Sequence, residues 1–162
     1  MKLEGPAAGE VFFDKTGEGA FMNIPANKVL LIDDDEIQNE MLKGALEMYS
    51  MVVAAESSPF NALKTAGNFK PNVIICDIVM PGKTGSRVVR DLQEHPATRH
   101  IPIIFLSALV TRREEAASSA THTMMAKPVN MSRLLDHIRR LTRPPEKAEG
   151  GAVFAASALA AR

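Results

Sequence analysis

The chain has 162 residues, 46% of them hydrophobic and 23% charged, enough apolar material for a core and too short for a large multidomain enzyme. Lys and Arg number 19, Asp and Glu number 19, and the formal net charge is +0, which removes any general field for holding nucleic acid or an anionic membrane surface. The one cysteine, Cys76, has no partner within the chain, so a disulfide framework is excluded and a reducing compartment fits.

Residues 1–27 are rich in Gly and small side chains and carry Glu4, Glu10, Asp14 and Glu18, unlike a secretory leader. Within them Val11-Phe12-Phe13 and Phe21-Met22 flank Thr16-Gly17-Glu18-Gly19, the pattern of a short hairpin. The folded unit is expected over 28–143, and an Ala/Gly-rich tail over 144–162 begins at Pro144-Pro145. Inside the unit, five short apolar runs at 29–32, 51–54, 73–76, 103–106 and 123–126 read as strands.

Between the strands, Ile37, Met41, Ala45 and Met48 recur at helical spacing, as do Val88, Val89 and Leu92, and Leu134, Leu135, Ile138 and Leu141. Ser58-Pro59 predicts an N-cap with proline at the first helical position, and Asn130 caps the last helix. The stretch 111–121, the fourth helix, is the weakest, its apolar positions being mostly alanine. The Ala-rich run 151–161 is too short to span a bilayer, so a soluble cytoplasmic protein without membrane insertion is expected.

Continuous apolar strands imply a sheet covered on both faces, and their alternation with helices demands parallel pairing through right-handed crossovers. The expected fold is α/β: a doubly wound (βα)5 domain whose ligands bind beyond the carboxyl ends of the strands. Those ends carry Asp33-Asp34-Asp35, Asp77, Ser107 and Lys127-Pro128. If strands one and three are neighbours, the acidic cluster and Asp77 converge. Carboxylates so placed repel unless a cation compensates, and an oxygen-only donor set suits Mg2+, which binds few carboxylates and a phosphate. Each residue also has a plainer reading: Asp33 to Asp35 as a helix cap, Asp77 before Met80-Pro81-Gly82 as a turn, Ser107 as a strand-end hydroxyl.

The pieces VLLIDDDE, VIICDIVMPGKTG, IIFLSA and MMAKP, in this order and spacing, resemble a two-component response-regulator receiver domain of the single-domain, chemotaxis-regulator-like kind. That resemblance implies a flavodoxin-like three-layer sandwich with sheet order 2-1-3-4-5. It also implies that Asp77 is the phosphoacceptor, attacking the phosphorus of a phosphohistidine on a sensor histidine kinase or phosphotransfer protein. Asp34 would ligate Mg2+ directly, Asp33 mainly through water, and the backbone carbonyl of Val79 would add a ligand. Ser107 would hydrogen-bond the phosphoryl group, Lys127 would pair with its oxygens, and the Lys-Pro bond would be cis.

Four places depart from the family pattern. Met124 stands where Tyr or Phe is usual, so the switch of that side chain is expected to be less two-state. Val79 and Leu109 are apolar where polar groups often place the attacking water, which predicts slow autodephosphorylation; small Ala108 leaves Asp77 accessible. Ala120-Thr121-His122 replaces a Gly-Ala pair, and His122 reads as a solvated loop residue.

The segment from Val11 to Gly17 is similar to the aspartyl-phosphate motif of P-type ATPases but lacks its next Thr and any room for the other domains. Cys76 reads as a small buried hydrophobe. The residues after 143 are too few for a helix-turn-helix domain, so no DNA binding is expected. Output through protein docking is expected on the face of the fourth helix, fifth strand and fifth helix, where Arg112, Arg113, Arg139 and Arg140 could meet an acidic partner or simply solvate the surface. The alternative function is a phosphorylation-independent adaptor on the same fold.

Overall fold

The computed structural model describes residues 27–108 and 122–143, together with the backbone of two short N-terminal strands. Those two, β1 (Val11–Phe13) and β2 (Gly19–Phe21), pair antiparallel with Val11 opposite Phe21. The hairpin is as expected, except that its second strand begins at Gly19. The expected helix over 111–121, Leu109 and the tail lie outside the described residues.

The main sheet has five parallel strands: β3 (Lys28–Ile32), β4 (Val52–Glu56), β5 (Val73–Asp77), β6 (Ile103–Ser107) and β7 (His122–Ala126). Their spatial order is β4-β3-β5-β6-β7, which is 2-1-3-4-5 within this sheet. Helices α1 (Glu36–Glu47), α2 (Ala62–Phe69), α3 (Gly85–Glu94) and α4 (Met131–Thr142) complete the described elements.

Alternate residues of each strand feed opposite faces, and both faces are covered, which is why the strands read as unbroken apolar runs. Leu30, Ile32, Ile74, Cys76 and Ile103 pack with Ala62 and Ala66 of α2 and Val88, Val89 and Leu92 of α3. On the other face Val29, Leu31, Ile75, Ile104, Leu106 and Met125 pack with Leu46 of α1 and Leu134, Leu135 and Ile138 of α4.

Four expectations need correction. First, the stripe Ile37, Met41 and Met48 of α1 is exposed; the helix instead buries Asn39 and Leu46, with Leu42 and Ala45 half-buried. Two interleaved stripes both have helical period, and periodicity alone does not say which one meets the sheet. Second, Ser58-Pro59 does not cap α2. Its N-cap is Asn61, because Asn61 N–H donates to the Ser58 carbonyl and closes a turn first, while Glu56 accepts from Ser58 N–H and the Thr65 hydroxyl.

Third, the second strand of the main sheet starts at Val52 and runs to Glu56, not 51–54, since Asn27 and Lys28 set its register. Fourth, His122 stands at the start of β7 opposite Ile103 rather than in a loop. Asn130 does cap α4, its Oδ1 accepting from Arg133 N–H at 3.1 Å. Among the described residues, no helix is long and apolar enough to cross a membrane.

Candidate functional site

Parallel register sets the site. Ile32 of β3 lies opposite Cys76 of β5, so Asp33, the first residue past β3, is level with Asp77, the last of β5. Asp77 in turn lies opposite Leu106, which puts Ser107 one residue further along the neighbouring strand. Ser107 pairs with Ala126, and Lys127 follows, its N–H donating to the Ser107 carbonyl at 2.8 Å. Four strand ends thus deliver one polar rim.

Asp33, Asp34 and Asp77 each offer a carboxylate oxygen, all within 4.8 Å of one another. Asp33 and Asp77 are buried and Asp34 is exposed. Lys127 Nζ bridges the two buried carboxylates, 2.8 Å from Asp33 Oδ2 and 3.0 Å from Asp77 Oδ1. Burial by itself pulls the Lys127 ammonium down, but its hydrogen bonds to Asp33 and Asp77 and their negative charges outweigh that and hold its pKa above the ordinary lysine value. Three carboxylates against one ammonium leave an excess of negative charge, and the all-oxygen donor set fits a hard divalent cation such as Mg2+.

Asp35 has a separate job. It is the N-cap of α1: Oδ1 accepts from Ile37 N–H and Gln38 N–H, and Oδ2 from Gln38 Nε2. These bonds hold its carboxyl below the usual aspartate range, the Gln38 N–H contributing most. The capping and cation-facing roles of the acidic triplet are therefore divided between residues. Past Asp77, Val79 N–H donates to Asp77 Oδ2 at 3.2 Å, and the Val79 side chain is 61% exposed at the mouth of the site. Gly85 N–H donates to the Ile78 carbonyl at 2.9 Å, fastening α3 directly against the end of β5.

Cys76 is fully buried; burial first, then the charges of Asp77 and Asp33, push its thiol up to about 12, so it is inert filler as expected. The Lys127-Pro128 peptide is cis. Met124 is half-buried on β7 opposite Phe105. The sequence reading passed over Asn39, a buried amide on α1 whose Nδ2 donates to the Asp33 carbonyl at 2.7 Å. The available signal was a polar residue on the 39, 42, 46 stripe.

This fold and rim define a receiver, and the response regulator receiver domain family model matches residues 29–139. The chain belongs to that family. It is 34% identical over 119 residues to the response regulator PleD of Caulobacter vibrioides, covering 72% of this chain and 26% of PleD, so it spans only about a quarter of that relative. Similarity to the polar-differentiation response regulator DivK of Brucella abortus is 24% over 113 residues, 68% of this chain and 92% of DivK. The solved chemotaxis protein CheY4 of Vibrio cholerae superposes with a TM-score of 0.62 at 28% identity, covering 72% of this chain and 98% of that one.

Proposed function

We propose that this chain is a stand-alone response regulator that accepts a phosphoryl group on Asp77 from a sensor histidine kinase or phosphotransfer protein in the cytoplasm, and signals through altered protein docking. The observation that carries the reading is the shared position of Asp33, Asp34 and Asp77 with Lys127 between the two buried carboxylates. Family membership supports it, as does the likeness to DivK, matched over most of its length.

In this reading an Asp77 carboxylate oxygen attacks the phosphorus, a P–O bond forms, the P–N bond to the donor imidazole breaks, and the imidazole leaves. Asp33, Asp34, Asp77 and the Val79 carbonyl would hold Mg2+, whose charge offsets that spread over the phosphoryl oxygens. Lys127 moves from the Asp77 carboxylate to a phosphoryl oxygen, and the Ser107 hydroxyl donates to another. Positioning and charge do the catalysis. The exposed Val79 offers no group to orient water, so hydrolysis of the acyl phosphate is slow.

Output is assigned to the face of the fourth helix, β7 and α4. Of its four arginines, Arg139 is exposed on α4, 3.8 Å from Asp136, and Arg140 contacts His137; Arg112 and Arg113 lie outside the described residues. No DNA partner is proposed.

The test is incubation with acetyl phosphate, with and without Mg2+, read by intact mass. Addition of one phosphoryl group that requires Mg2+ and disappears in Asp77→Asn supports the reading; no addition under any condition supports the adaptor alternative.

A further inference from the structure

We infer that Asn39 is a positioning residue for the acidic site: its amide fixes the backbone of Asp33 so that the Asp33 carboxylate faces Asp34 and Asp77. The inference rests on the functional reading above and adds a residue to it. Asp33 lies just past the end of β3, where the ladder gives out; its N–H reaches the Glu56 carbonyl at a long 3.3 Å. Its carbonyl is held by Asn39 Nδ2 at 2.7 Å, a buried bond. With that carbonyl fixed, the carboxylate is placed by two further bonds, Asp35 N–H to Oδ1 at 2.9 Å and Lys127 Nζ to Oδ2 at 2.8 Å.

Packing alone does not call for an amide here. Asn39 is 3% exposed, on the stripe of α1 that carries Leu42 and Leu46. Beside it lies a cavity of about 230 Å³ lined by Met41, Leu42, Leu106, Val129 and Met131, with Asp33 and Lys127 at its polar end. Leucine at position 39 therefore has both room and apolar company. What leucine cannot do is hold the Asp33 carbonyl, and groups that orient a metal's ligands govern its affinity.

The test compares full-length wild type with Asn39→Leu by calorimetric Mg2+ titration, alongside thermal melts in EDTA. The expected result is a Kd for Mg2+ raised about tenfold, together with whatever loss of melting temperature follows from leaving the Asp33 carbonyl without its donor. A purely structural asparagine would give a lower melting temperature with Kd unchanged, and an unchanged Kd overturns the inference. Should the leucine variant not fold, Asn39→Ala removes the same donor, and the same two measurements decide. If the wild type binds Mg2+, Asp33→Asn weakens it and the Asn39 variants do not, the positioning role alone falls. If the wild type does not bind Mg2+, the functional reading falls and takes this inference with it.

Discussion

A Cβ on Gly85 would lie 2.0 Å from the carbonyl oxygen of Asp77. The neighbouring atoms it would meet are all backbone, at 2.9 Å or less, so no side-chain rotation can relieve the clash. The missing side chain is what lets the start of α3 close on the end of β5, and it fixes the strand end that presents the proposed phosphoacceptor.

Gly85→Ala is therefore expected to cost about 1–3 kcal/mol and to weaken Mg2+ binding as Asp77 is displaced. Gly82→Ala serves as the control. Its φ of +76° disfavours a side chain, but the nearest atoms, on the Phe60 ring, are at 3.5 Å, so it should cost about 1 kcal/mol and leave the site in place. Urea melts and Mg2+ titration of the two variants check this.

Lys127 makes stability depend on alkaline pH. Its pKa is raised in the folded protein from 10.5, so the stabilisation is fully present below that pH and is lost as pH rises through the higher folded value. Lys127→Met should lack this alkaline component. At neutral pH without Mg2+ it should be less stable than wild type by about 2 kcal/mol, because Asp33 and Asp77 are left facing each other. The difference between the two proteins' melting temperatures, followed from pH 7 upward, is the measurement.

With its thiol pushed up to about 12 and no surface exposed, Cys76 should resist alkylation by iodoacetamide in the native protein and react once the chain is unfolded in urea. Rapid native labelling would show that the end of β5 opens readily.

The lifetime of the acyl phosphate tests Val79. A polar side chain able to orient water, as in Val79→Asn, should shorten it by about tenfold or more, measured as loss of the phosphoryl mass after the donor is removed.

The sheet and the rim were legible because each strand is a continuous apolar run ending in a polar residue, and parallel register makes those ends meet. The face of α1 was not legible: Ile37, Met41 and Met48 have the same period as the buried stripe, and the buried stripe contains a polar residue where apolar ones were sought. Asn39 escaped, and the cap read for Asp33 to Asp35 was not assigned to Asp35 alone, for a related reason. Their roles depend on which backbone group each side chain reaches, Asp33 carbonyl for one and Gln38 N–H for the other, and spacing does not carry that. The start of α2 was misplaced because Glu56, nine residues from Thr65, ties down the intervening loop, a contact that no local cap signal contains.

The most direct test is an amide NMR titration of the full chain, first with Mg2+ and then with beryllofluoride, a phosphoryl mimic. The account predicts that Mg2+ shifts the signals of Asp33 to Asp35 and of Asp77 to Val79, that beryllofluoride then moves Ser107 and Lys127, and that the beryllofluoride response is absent in Asp77→Asn. Spectra unchanged by both additions, or shifts confined to residues away from these strand ends, would contradict it.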